Sequence, residues 1–288
     1  MPAKRTKKAK ALPQPDYEAG LKYWTALEPT VDTVVGGFGT GSLPRIDALS
    51  TRSFLIALMP ALSRITPVHR ASADAPAAVL LPPRKPPIRA LDCGAGVGRV
   101  TETVLAHLCD IIDLVEPAGH FLAAAHAAAP RWRGVSEGQT AVRMFERGLQ
   151  SFDPRDPISQ GGEPPMIVGP YDELLAAADD VGEGRYDVIM IQWCIGHLSD
   201  PQFIAFLKKC RAALRPDDPA QPDRRSLIVV KENCANDADA FDEADSSTTR
   251  CDATFRTCFA KAGLTVVRSE LQLGFPEELL PVRSYALR

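Results

Sequence analysis

The string Asp92-Cys93-Gly94-Ala95-Gly96-Val97-Gly98-Arg99 constrains the fold of this 288-residue chain more than any other segment. It ends the apolar run Ile88 to Cys93, which has the pattern of a buried strand, and opens Val97 to Leu108, whose apolar spacing is helical. Glycines between a strand and a helix let the backbone turn sharply and approach a ligand that a Cβ would exclude. A dinucleotide fingerprint would need its third glycine at position 99, where this chain has Arg99.

Twenty residues past Gly96, at the end of a second strand candidate, Ile111 to Val115, stands Glu116. A carboxylate there can accept hydrogen bonds from both hydroxyls of a ribose. Strand, loop, helix, strand and acid in that order say more than the glycines alone. With Gly98 in place of a glycine at 99, the loop resembles that of class I methyltransferases, whose ligand carries no phosphate. An arginine beside it can pair with the methionine carboxylate of that ligand.

The rest of the chain supports a layered α/β fold. An Ala-rich helix is expected over Ala118 to Ala128, strands over Val142 to Phe145 and Tyr186 to Gln192, and a helix over Pro201 to Leu214. Leu227 to Lys231 reads as a strand and Thr248 to Ala262 as a helix, stopped by Gly263. Two strand-like runs, Leu264 to Val267 and Val282 to Leu287, close the chain as a hairpin. Alternating strands and helices imply a mostly parallel, doubly wound sheet of Rossmann-like type, covered on both faces. Residues 17 to 65, with Gly36, Gly37 and Gly39 in a tight turn, read as a helical cap on a single domain spanning 17 to 288. The Pro-rich stretches at about 66 to 87 and 153 to 170 read as surface insertions without regular structure.

Residues 1 to 16 read as a disordered basic tail. Removing its Lys4, Arg5, Lys7, Lys8 and Lys10 from 33 basic side chains leaves 28 against 36 acidic ones, a balance of −8 for the body. An acidic body favours basic partners over a polyanion, so no nucleic-acid partner is expected. The tail is compatible with nuclear import, with a nucleic-acid patch or with a solubilising end. No apolar run approaches the roughly 18 residues of a membrane span, and no apolar stretch follows the tail as in a secretory signal. Seven cysteines without a Cys-x-x-Cys pair argue against disulfides and against a zinc site. The expectation is a soluble monomer without a metal, in the cytoplasm, with the nucleus as a second location open to it through the tail.

Two polar clusters are candidates for chemistry. Ile191 to Leu198, at the carboxyl end of a central strand, would face the ligand crevice with Gln192, Trp193 and His197. After the next strand come Lys231, Glu232 and Asn233, then Asp242, Glu243, Asp245, Ser246 and Ser247. These acids suit a cationic substrate, yet Asp245 or Ser247 equally suits the cap of the following helix.

Together these segments resemble the eukaryotic protein N-terminal methyltransferases that recognise Xaa-Pro-Lys ends. The resemblance covers Tyr23-Trp24, Pro29 to Asp32, Gly36 to Gly39, the glycine loop, Ile191 to His197, Lys231 to Asn233, Asp242 to Ser247 and Ser284 to Arg288. It implies a class I methyltransferase using S-adenosylmethionine, with Gly94, Gly96, Arg99, Glu116, Pro117, Ala118, Leu149, Gln150 and Gln192 at the cofactor. Trp193 would pack on the second-position proline, and Asn233, His197 and Asp245 would surround the α-amine. Asp242 would pair with the third-position lysine, with Ser247, Trp24, Val35 and Gly36 along the peptide. Substrates would be protein N-termini, ribosomal proteins among them. The chain departs from the family at Leu280, where a Tyr is found, and at Glu116 and Glu232, where Asp is found. Rival readings are a methyltransferase of small molecules or nucleic acid, since fold does not fix substrate, and a cofactor-binding scaffold without chemistry.

Overall fold

The computed structural model describes residues 12–65, 84–176 and 185–288. Residues 1 to 11 of the basic tail and 66 to 83 of the first Pro-rich stretch lie outside the described residues. Asp16 caps the first helix, α1 (Tyr17–Thr25), by accepting a hydrogen bond from the Ala19 N–H at 2.8 Å. α2 (Val31–Val34) and α3 (Leu43–Leu58) follow, the latter with Pro44 in its first turn, where a missing N–H costs nothing.

The sheet and its covering helices then alternate: β1 (Arg89–Cys93), α4 (Arg99–Thr103), β2 (Ile111–Glu116), α5 (Gly119–Ala128), α6 (Arg133–Ser136), β3 (Ala141–Glu146), β4 (Met166–Val168) and α7 (Tyr171–Ala176). They continue with β5 (Val188–Gln192), α8 (Asp200–Ala213), β6 (Leu227–Asn233), β7 (Ala240–Asp242), β8 (Ser247–Thr249), α9 (Asp252–Lys261), β9 (Val266–Leu271) and β10 (Val282–Leu287). Eight strands form one sheet in the order β4-β3-β2-β1-β5-β6-β10-β9. β1, β2, β3, β5 and β6 are parallel, whereas β4 joins one edge antiparallel and β10 lies antiparallel between β6 and β9. The α/β class and the closing antiparallel pair are thus as the periodicity predicts.

Successive residues of the central strands feed two cores. In β5, Val188 and Met190 join the cluster under α3, α4 and α5, while Ile189 and Ile191 join the one under α8 and α9. β6 divides likewise, Leu227 and Val229 against Ile228 and Val230. Burial on both faces explains why these strands read as continuous apolar runs rather than alternating ones. The strand order reverses between β1 and β5, which opens a crevice at their carboxyl ends.

Three local expectations are corrected. The helix after the glycine loop ends at Thr103 and gives way to a 3-10 turn at Leu105–His107, because Val104 leaves helical geometry at φ −125°. The second Pro-rich stretch contains β4, which finds a partner in β3 despite its flanking prolines. The helix expected from Thr248 begins at Asp252, since Ser247–Thr249 pair with Ala240–Asp242 as a separate hairpin. Its cap position is Cys251, so neither Asp245 nor Ser247 is a helix cap.

Gly98 sits at φ 80° before α4, and a Cβ there would lie 2.5 and 2.7 Å from ring atoms of the buried Trp132. A left-handed non-glycine residue costs about 1–2 kcal/mol, and overpacking about 1–3 kcal/mol more. Gly98→Ala is expected to lose about 2–5 kcal/mol of stability. Urea denaturation checks this, and an unchanged midpoint would mean that the ring and loop relax freely.

Candidate active site

A partly open cavity lies where β1, β2 and β5 end. Its floor is the glycine loop with Gly94, Ala95 and Gly96, and its walls carry Arg99, Glu116, Pro117, Leu149, Gln150 and Gln192. Tyr17, Gly20, Leu21 and Trp24 of α1 cover it, one face of a helix at i, i+3, i+4 and i+7. Trp193 and His197 stand at the same wall as Gln192.

Glu116 shapes the loop. Its Oε2 accepts from the Gly96 N–H at 2.9 Å and its Oε1 from the Ala118 N–H at 2.8 Å. Each oxygen keeps a lone pair for a ligand hydroxyl. Burial pushes the Glu116 carboxyl up to about 7, against the pull of those two N–H groups. Gly94 is forced by closeness as well as by its φ of 64°: a Cβ would lie 2.3 Å from the Cys194 Cβ. Ala118 is buried and meets the site only through its N–H.

Arg99 is 5% exposed and donates from Nη1 to Asp47 Oδ2 of α3 at 2.6 Å, with its guanidinium 5.0 Å over the Trp193 ring. Gln192 donates to the same Asp47 and leaves its Oε1 buried without a partner among the described residues.

The segment after β5 is held in an unusual shape. Trp193 has φ 54°, rare for a bulky residue, and its N–H donates to Lys231 O at 3.2 Å. Glu232 Oε1 accepts from the next two N–H groups, Cys194 at 2.8 Å and Ile195 at 3.0 Å. Burial pushes the Glu232 carboxyl up to about 7. Gln150 Nε2 donates to His197 O at 3.3 Å.

His197 accepts at Nε2 from the Trp24 indole N–H, 2.9 Å away. Indole nitrogen only donates, so the neutral ring carries its proton at Nδ1. That Nδ1 is buried without a partner among the described residues, as is Asp245 Oδ1. Burial depresses the pKa of His197 below its ordinary value, while the Asp245 charge pulls it upward. Both residues press on α1 at Gly20, where a Cβ would lie 3.0 Å from His197 Nδ1 and 3.2 Å from Asp245 O.

Asp245 and the other expected site residues stand off the cavity wall. Asn233 ends β6, half-buried and opposite Val282. Asp242 ends β7, exposed, accepting from the Ala244 N–H at 2.8 Å. Ser247 begins β8 against Gly196, and Val35 and Gly36 follow α2, whose Val34 is the residue that reaches the cavity. Sequence reasoning overlooked Tyr17, Gly20 and Leu21, although their helical spacing to Trp24 could have revealed them. It also overlooked Asp47, for which no local signal exists.

The cavity therefore offers a cation at Arg99, a free acceptor at Gln192 Oε1, two carboxylate oxygens at Glu116, and apolar walls at Leu149 and Phe121. That set fits an amino-acid end, a ribose and a flat base. With the doubly wound sheet, it defines a class I methyltransferase dependent on S-adenosylmethionine.

Residues 13–288 match the family described as AdoMet-dependent proline di-methyltransferase, and the chain belongs to that family. It is 34% identical over 278 residues to the alpha N-terminal protein methyltransferase 1 of Schizosaccharomyces pombe, covering 96% of this chain and 97% of the relative. It is 33% identical to the N-terminal Xaa-Pro-Lys N-methyltransferase 1 of Mus musculus, covering 94% and 95%. Among solved structures, a SAM-dependent methyltransferase from Leishmania major superposes with TM-score 0.66 at 28% identity, covering 94% of this chain and 82% of that one. A magnesium protoporphyrin IX methyltransferase from Synechocystis, with bound SAM, shares the fold at TM-score 0.52 and 12% identity, covering 94% and 92%.

The two buried glutamates make stability depend on pH. With folded values of about 7 against an ordinary 4.5, the native chain holds protons in that window that the unfolded chain has released. Their contribution is fully present below the ordinary value and is lost as pH rises through about 7. The melting temperature of Glu232→Gln, compared with the parent from about pH 5 to about pH 8, is expected to fall less steeply. Parallel curves would show that Glu232 ionises as freely when folded as when unfolded.

Proposed function

We propose that this methyltransferase acts on the α-amino group of proteins whose mature N-terminus reads Xaa-Pro-Lys, giving mono-, di- or trimethylated ends according to the protons the first residue offers. The observation that carries this reading is the pair His197 Nδ1, on the cavity wall, and Asp245 Oδ1, off that wall against Gly20 of the covering helix, a donor and an acceptor both buried with no partner among the described residues. An N-terminal residue complements both, with amine hydrogens to give to Asp245 and a carbonyl oxygen to accept from His197, while the nitrogen lone pair stays free. The name of the mouse relative supports the same substrate class.

S-adenosylmethionine, when bound, supplies a sulfonium methyl group to an in-line displacement by a neutral amine. An α-amino group has a pKa of about 7.7–8.0, so deprotonation near pH 7 costs only about 1 kcal/mol. Orientation of two reactants supplies about 7–11 kcal/mol, so placement outweighs basicity. Asp245 takes the proton. His197, whose Nε2 lone pair is engaged by Trp24, has only Nδ1–H to offer, so it does not deprotonate the amine; it donates to an oxygen beside the amine and leaves the single nitrogen lone pair free for the methyl group.

In this reading Gly94, Gly96, Glu116, Pro117, Leu149 and Gln150 hold the adenosine part, with Ala118 acting through its N–H. Arg99 and Gln192 hold the amino-acid end. Trp193 carries the second-position proline and Asn233 helps aim the amine. Asp242, solvated on its hairpin, receives the third-position lysine, while Ser247, Trp24, Val35 and Gly36 flank the peptide. Ribosomal proteins with such ends are candidate substrates. We place the activity in the cytoplasm, and in the nucleus if the basic tail is read for import; the seven free cysteines suit a reducing compartment.

Mass spectrometry of a Ser-Pro-Lys peptide after incubation with enzyme and S-adenosylmethionine tests the reading directly, and faster methylation of RNA or free amines would overturn it. Asp245→Asn is expected to keep the fold and cofactor affinity while lowering kcat on that peptide by about 10² or more. Near-normal turnover would remove Asp245 from the chemistry. Asp242→Lys is expected to weaken turnover of Xaa-Pro-Lys ends and improve a peptide with Glu at position three, measured as the ratio of kcat/KM. Retained lysine preference would assign that contact elsewhere.

A further inference from the structure

We propose that Asp47 of α3 is the positioning residue for the amino-acid end of the methyl donor, aiming both Arg99 and Gln192 at it without touching it. The proposal rests on the reading that the donor's methionine part lies at those two side chains. Asp47 is fully buried, and it does not line the cavity. Groups from three other elements converge on its carboxylate. Arg99 Nη1 of α4 lies 2.6 Å from Oδ2, Gln192 Nε2 of β5 lies 3.0 and 2.9 Å from Oδ1 and Oδ2, and Lys231 Nζ of β6 lies 2.6 Å from Oδ1. Gln192 and Lys231 are register partners on adjacent strands, which brings both to the same carboxylate.

Two consequences follow for a ligand. A carboxylate accepts hydrogen bonds and cannot donate, so the amide of Gln192 must turn its nitrogen to Asp47 and its oxygen away. That oxygen is buried and has no donor among the described residues, while Gln192 borders the cavity. It is an acceptor preset for an ammonium group. Charge supplies the second consequence. Burial opposes ionisation of Asp47, but Lys231 and Arg99 outweigh it and hold the carboxyl below its ordinary value. Among Asp47, Arg99 and Lys231 one anion is shared between two cations, and the buried Asp92, the other acid near Arg99, offsets the remaining charge only in part because burial pushes its carboxyl up to about 6; a buried charge left partly uncompensated is costly. A carboxylate arriving beside Arg99 balances it. Ammonium at Gln192 Oε1 and carboxylate at Arg99 together describe the zwitterionic end of an α-amino acid.

The test compares two ligands that differ in that end. S-adenosylhomocysteine keeps it, and 5′-methylthioadenosine lacks it. Calorimetry on the parent enzyme must first show binding of both, and binding of neither would sink the cavity reading and this proposal with it. Asp47→Asn is expected to weaken S-adenosylhomocysteine about ten- to a hundredfold, the scale of one or two hydrogen bonds to charged groups, and to leave 5′-methylthioadenosine unchanged. In turnover the same change is expected in KM for S-adenosylmethionine, with kcat at saturating cofactor retained. A merely structural role would lower both affinities together, and that parallel loss, or no loss at all, overturns the assignment. Should the single variant fail to fold because Lys231 is left unpaired, Asp47→Asn with Lys231→Met keeps the summed charge of Asp47, Arg99 and Lys231 unchanged while removing the aiming carboxylate. The same selective loss is expected from it, and parallel losses would again refute the idea.

Discussion

Two buried glutamates, each capturing two main-chain N–H groups, fix the carboxyl edge of the sheet. Glu116 ties the loop after β1 to the turn after β2, and Glu232 ties down the turn after β5. Loops at a sheet edge have few ladder partners, and unpaired N–H groups buried there would each cost free energy. By meeting that need with side chains, the chain converts flexible turns into a rigid rim. The glycine conformations, the left-handed Trp193 and the His197 ring all take position from this rim. A left-handed tryptophan is strained on its own, and the Glu232 clamp beyond it supplies the compensating contacts.

How legible the molecule is in its sequence depends on how local each interaction is. The central strands announce themselves because burial on both faces demands unbroken apolar runs. The glycine loop and Glu116 stand 20 residues apart and are joined by one strand-helix-strand unit, so pattern reveals both. Asp47 shows no such pattern, since it meets Gln192 across 145 positions of sequence and nothing near it indicates a buried carboxylate. The hairpin of β7 and β8 was hidden for another reason. Ser247, Thr248 and Thr249 are polar and half-buried, so periodicity cannot separate a short strand there from the first turn of the next helix. β4 escaped for the same reason, as three edge residues flanked by prolines carry too little alternation to read.

α1 is built into the cavity wall rather than laid loosely over it. Its start is tied to the acidic hairpin, where the Asp16 N–H donates to Ser246 Oγ at 2.9 Å, and its last turn is tied to the imidazole through Trp24. Between these ties, Gly20 lets the helix backbone rest against His197 and Asp245, where even a Cβ would press to 3.0 and 3.2 Å. The tautomer of the His197 ring is thus set by a residue 173 positions earlier in the chain.

A helix fastened at its first residue and again in its last turn is held against swinging about either end. Lifting it from the cavity breaks both the Asp16–Ser246 and the Trp24–His197 hydrogen bonds, so the cover departs as a unit. The second of those bonds also holds the imidazole, and any departure of the helix releases the ring to turn. Access to the cavity and the orientation of His197 are therefore coupled through one indole N–H.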